Sequence, residues 1–200
     1  MKNVFSALLA ALMLVGILTG CTNQAEMPTV TAAPAGPQAQ SAAEEKIRIV
    51  TTIFPEYDWV REILGDKADS AEITMLLDNG VDLHSYQPTA DDLIKLSDCD
   101  LFVYVGGESD GWADDALKSA ANKDRKVINL LDALGDSVKE EETVEGMQEE
   151  EEDHEEKEYD EHVWTSFGNM ARIVTAVRNT LTAALPEQAA TLQDNAASYL

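Results

Sequence analysis

Basic side chains are scarce in this chain: 14 Lys and Arg stand against 38 Asp and Glu, for a formal net charge of −24. A nucleic-acid phosphate backbone would be repelled by such a surface, which leaves cations, or no partner at all, to match the charge. Cysteine is nearly absent, and Cys21 and Cys99 make no disulfide framework. Cys99, inside the apolar stretch LSDCDLFVYV, reads as a small buried side chain. Histidine occurs only at His84, His154 and His162. The motifs H-E-x-x-H, the Walker loop and the dinucleotide fingerprint are all missing, so the chemistries they carry have no seat here. Only one long hydrophobic run exists, VFSALLAALMLVGILTG, and it stops at Cys21.

That run follows Lys2 and is at the short edge for crossing a bilayer, which is the layout of a signal peptide over residues 1–20. Its end, LTGC, resembles the lipobox of bacterial lipoproteins. The resemblance implies that the Cys21 thiol is acylated and becomes the mature N-terminus, at the extracytoplasmic face of a cell membrane. Residues 21–46 are rich in Ala, Pro, Thr and Gln without an apolar period, which predicts a flexible tether reaching roughly 25–30 Å.

Ordered structure is expected from residue 47. The β-branched stretch 47–53 predicts a strand, and Pro55 with the apolar face Tyr57, Val60, Ile63 and Leu64 predicts a helix stopped at Gly65. Further strands are predicted over 71–77, 100–106 and 126–131. Helices are predicted after Thr89, as N-cap with Asp92, and over 112–121. The alternation implies an α/β fold with a parallel sheet flanked by helices. Met170, Ile173, Val174, Val177, Leu181 and Leu185 then follow a helical period. Pro186 ends that helix and opens another, still in period at Leu200, so a fragment of a longer chain is expected.

Two histidines fall on connections that follow strands, His84 in DLHSYQPT and His162 in DEHVWTS. In open parallel sheets ligands bind beyond the carboxyl ends of the strands, and two imidazoles on one such edge suit a borderline metal. Between them lies an acidic run, residues 139–161, with 14 acidic residues and two lysines, a net charge of −12. Residues 139–159 have no apolar period and predict a disordered segment that concentrates cations at the site. His154 within it is a candidate auxiliary ligand. The competing motif is GESDG, residues 107–111, which fits G-x-S-x-G. An esterase would use Ser109 as nucleophile, His162 as base and Asp132 as its orienting acid. A lipid-anchored adhesin without a specific ligand is a third class.

The pieces IVTTIFPEYDWVREILGD, DLHSYQPTADDLIKLSDCDLFVYVG, Trp112 in GWADDAL, and DEHVWTS together resemble the metal-binding solute receptors of bacterial zinc and manganese ABC importers. The resemblance runs from Ile47 to Leu200. It implies the first lobe of a two-lobe periplasmic-binding-protein fold, residues 47–185, and the start of an interlobe helix at 186–200. His84 and His162 are implied as direct metal ligands, with a further histidine and a carboxylate from a second lobe. Where many members have proline before the first histidine, this chain has Leu83. The acidic segment before the second histidine implies Zn²⁺, with Mn²⁺ as the alternative. The implied function is not enzymatic: a receptor delivers the metal to a membrane permease.

Overall fold

The computed structural model describes residues 46–78, 80–140 and 159–200. The signal-like run, Cys21, the tether up to residue 45 and the acidic segment 141–158 with His154 lie outside the described residues.

Four strands, β1 (Ile47–Thr51), β2 (Ala71–Met75), β3 (Leu101–Tyr104) and β4 (Lys126–Asn129), alternate with helices α1 (Phe54–Leu64), α2 (Ala90–Asp98) and α3 (Trp112–Ser119). Three more helices follow: α4 (Leu130–Leu134), α5 (Phe167–Ala184) and α6 (Ala189–Tyr199). The strands form one sheet in the order β2-β1-β3-β4, and every pairing is parallel. The chain therefore winds outward from β1 to β2, then crosses back to β3. That reversal opens a crevice between β1 and β3 at the carboxyl edge of the sheet.

Alternating side chains separate the two faces of the sheet. Ile49, Leu101, Val103 and Ile128 pack with Trp59, Val60 and Ile63 of α1, with Ile173, Val177 and Leu181 of α5, and with Leu192 of α6. Val50, Phe102 and Tyr104 pack on the other face with Leu96 of α2 and Ala113 and Ala116 of α3. Each large side chain removed from water in these layers contributes about 1.5–3 kcal/mol. Cys99 is fully buried, as expected, and its thiol donates to the Leu96 carbonyl. Helix α6 is tied to α1 by Asn195 Nδ2 donating to the Ile63 carbonyl at 3.0 Å and by Tyr199 donating to Asp58 at 3.2 Å.

The expected cap of α2 is present. Thr89 Oγ1 accepts from the Asp92 amide and Asp92 accepts from the Thr89 amide. All four strands are shorter than the sequence pattern suggests: β1 stops at Thr51 and β3 spans only Leu101–Tyr104. β2 stops at Met75, and β4 stops at Asn129 instead of residue 131. There the Asn129 side chain accepts from the Asp132 amide and caps α4, so Leu130 and Leu131 are helical. The segment expected to be disordered, 139–159, is ordered at residues 139, 140 and 159, and its remainder lies outside the described residues. The Asp160 amide donates to the Lys139 carbonyl at 3.0 Å, and Glu140 bridges Tyr159 in antiparallel fashion. Glu161, the last acid of the run and beyond the segment expected to be disordered, is buried.

Candidate metal centre

His84 stands on a tight helical turn, Leu83–Ser85, that follows β2. Asp82 begins the turn by accepting from the His84 amide at 3.0 Å, and buried Leu83 pins it to the apolar layer. His162 opens a second tight turn, Val163–Thr165, immediately before α5. Asp160 accepts from the His162 amide at 2.9 Å, Thr165 Oγ1 donates to the His162 carbonyl, and buried Val163 anchors the turn. His162 does not directly follow β4, since α4, a short turn and the acidic run intervene. Both segments nevertheless converge, and the two imidazole centroids lie 5.4 Å apart. Trp164 lies against His162 at the same spacing. Both histidines border an open depression of about 520 Å³ whose floor includes Ile53, Leu77 and Trp164.

Each ring is held through one nitrogen. Nδ1 of His162 contacts Asp160 Oδ1 at 3.1 Å, and Nδ1 of His84 contacts Ser109 Oγ at 2.9 Å. A carboxylate or hydroxyl behind an imidazole fixes its orientation, and an acceptor there leaves the other nitrogen for a metal. Two nitrogen donors are half of a closed tetrahedral zinc shell. Among the described residues no group of three or more His, Cys, Asp or Glu side chains is arranged to hold a metal ion. His154 and Cys21, both singled out in the sequence, lie outside the described residues.

Three carboxylates are buried near this edge: Glu56, Asp110 and Glu161. Glu56 reaches back from the first turn of α1 and accepts from the Thr52 amide, the Thr52 hydroxyl and the Ile53 amide. Burial pushes its carboxyl well above the usual range, against those donors and with help from the Asp110 charge. Burial also pushes Asp110 up to about 6. The Gly106 and Val105 amides pull it down, and the charge of Glu161 pushes it up again. Glu161 accepts from the Ser109 amide at 2.9 Å, and its other oxygen lies 3.7 Å from His84 Nδ1.

The esterase arrangement is not assembled. Ser109 contacts His84, not His162, and the carboxylate at His162 Nδ1 is that of Asp160, not Asp132. A catalytic triad needs the serine and the carboxylate on opposite nitrogens of one imidazole. Ser109 and Glu161 approach the same nitrogen of His84. Asp160, Glu161 and the Ser109–His84 contact were not singled out as site features in the sequence. Their one signal is adjacency: Asp160 and Glu161 immediately precede a candidate ligand, and Ser109 follows the glycine pair at the end of β3.

A family model described as ZnuA, zinc-uptake complex component A, periplasmic, matches residues 49–200. The zinc-binding lipoprotein AdcA of Streptococcus pneumoniae serotype 4 is 32% identical over 167 residues, covering 80% of this chain and 31% of that protein. The crystal structure of the Zn(II)-bound ZnuA-like domain of Streptococcus pneumoniae AdcA has a TM-score of 0.58 at 30% identity. That match covers 78% of this chain and 51% of that one. FpvC from Pseudomonas aeruginosa in complex with Mn²⁺ shares the fold, with a TM-score of 0.62 at 24% identity, covering 78% of this chain and 52% of that one. The chain thus spans about a third of the length of the curated relatives it matches. With the model match running over residues 49–200, this chain belongs to the periplasmic zinc-uptake component A family.

Proposed function

We propose that this chain is the first metal-binding lobe of an extracytoplasmic receptor that captures Zn²⁺ and delivers it to an ABC-type permease. One observation carries the proposal. His84 and His162, from segments far apart in sequence, meet at the carboxyl edge of a parallel sheet, each with Nδ1 engaged by a neighbouring oxygen. Paired imidazole nitrogens suit zinc better than manganese, which prefers oxygen donors. Further ligands come from outside the described residues. The chain binds and releases its cargo without transforming it, so no catalytic residue is assigned.

Calorimetric zinc titration tests the site. His84→Ala and His162→Ala each weaken binding by at least tenfold, and His154→Ala by less than threefold. Equal losses from all three would remove the assignment. Because imidazole must be neutral to bind, acid competes with the metal in the wild type.

The receptor is held to the membrane through lipid on Cys21, which LTGC and the preceding apolar run support. Fatty-acid labelling that persists in Cys21→Ala would exclude this anchor.

A further inference from the structure

We propose that Glu161 is a positioning residue that decides which nitrogen of His84 carries the proton, and so which nitrogen meets the metal. Its consequence for zinc rests on the receptor function proposed above, while its effect on the imidazole does not.

The Ser109 Oγ to His84 Nδ1 contact of 2.9 Å is ambiguous by itself. A hydroxyl both donates and accepts, so it suits either neutral tautomer. If Ser109 donates, the Nδ1 lone pair is consumed, the proton sits on Nε2, and the ring has nothing to offer a cation. If His84 donates from Nδ1, the Nε2 lone pair is bare. A second group near Nδ1 must break the tie.

Glu161 is that group. Its Oε2 lies 3.7 Å from His84 Nδ1, is buried, and has no hydrogen-bond partner. A carboxylate oxygen is an acceptor, so one facing a ring nitrogen favours an N–H there over a lone pair. Little water screens the effect, because Glu161 is only 7% exposed. The carboxylate cannot easily swing away. Oε1 is tethered by the Ser109 amide at 2.9 Å and fills a space that the missing Cβ of Gly107 leaves open. Asp160 meanwhile faces Nδ1 of His162. Asp160 and Glu161, two consecutive acids, therefore set the proton on both imidazoles, and both Nε2 atoms become the donors.

Glu161→Gln reverses the bias without changing the shape. The amide oxygen still accepts from the Ser109 backbone, and the NH₂ group then faces Nδ1 as a donor. In the metal-free full chain, ¹⁵N correlations of the His84 ring at mildly alkaline pH report the tautomer directly. The wild type shows the Nδ1–H form, and Glu161→Gln shifts it toward Nε2–H. Zinc affinity, measured by competition with a chelator, falls about 10–100-fold, the range for lost partners of metal-bound histidines. Ser109→Ala, which keeps the carboxylate, retains the Nδ1–H form and loses less affinity than Glu161→Gln.

A wild-type His84 in the Nε2–H form would overturn the proposal, with no variant needed. So would a Glu161→Gln chain that keeps the Nδ1–H form and binds zinc within threefold of wild type. If the wild type showed the Nδ1–H form and bound no zinc, the receptor function would fall and the tautomer assignment would stand.

Discussion

Gly107 has a φ of +78°, and an added Cβ there would come within 2.2 Å of Glu161 Oε1. Gly107→Ala therefore meets two costs. A left-handed backbone costs an L-residue about 1–2 kcal/mol, and a buried carboxylate must leave its slot. A fall in melting temperature equivalent to about 1–3 kcal/mol is expected, together with weaker zinc binding. A variant as stable as the wild type would show that the slot is not needed. At this scale the histidines were legible and the acids were not. His84 and His162 stand out as rare residues between a strand and the helix that packs after it, although α4 intervenes before His162. Glu161 is one acid among fourteen in residues 139–161. Composition reads such a run as solvated, and only packing shows that Glu161 is buried.

Helix α6 closes one face of the sheet by packing on α1 and α5, and Leu192 at its centre is fully buried. Leu192→Ala leaves a cavity at a three-helix junction and should cost about 2–5 kcal/mol in urea unfolding. A loss below about 1 kcal/mol would mean that α6 contributes little to this unit. Helical period made α5 and α6 legible, because eighteen and eleven residues give an apolar stripe room to repeat. α4 has only five residues, too few for a period to show. Its apolar start, Leu130 and Leu131, continued the β4 pattern without a break. The dividing signal was the capping side chain of Asn129, which a strand pattern does not reveal.

The whole molecule places buried carboxylates at the edge where a cation would arrive, and this couples stability to pH. Asp110 has its folded value raised to about 6, and Glu56 is raised as well, in both cases chiefly by burial. For a raised carboxyl the folded state favours the protonated form. The stabilisation is fully present below the unfolded value near 4 and is lost as pH rises toward about 6 for Asp110. A shift of that size corresponds to at most about 3 kcal/mol. Melting temperature is therefore expected to fall between pH 4 and 6. Asp110→Asn should flatten that slope and raise stability at neutral pH, and an unchanged slope in thermal melts would exclude Asp110 as its source. The parallel sheet was legible at this scale, since each strand is a short apolar run followed by a helix. Strand order was not, because no local pattern tells β3 on which side of β1 to pair.

The neck formed by Lys139, Glu140, Tyr159 and Asp160 has a practical consequence. It brings two chain ends to within one strand spacing, about 5 Å, and it does so two residues from His162. Between ends held this close, each doubling of an inserted flexible linker adds only about 0.6 kcal/mol of closure entropy. The neck is thus a splice port beside the metal edge. A circularly permuted fluorescent protein grafted there would have its barrel anchored two residues from His162, the imidazole proposed to meet the ion.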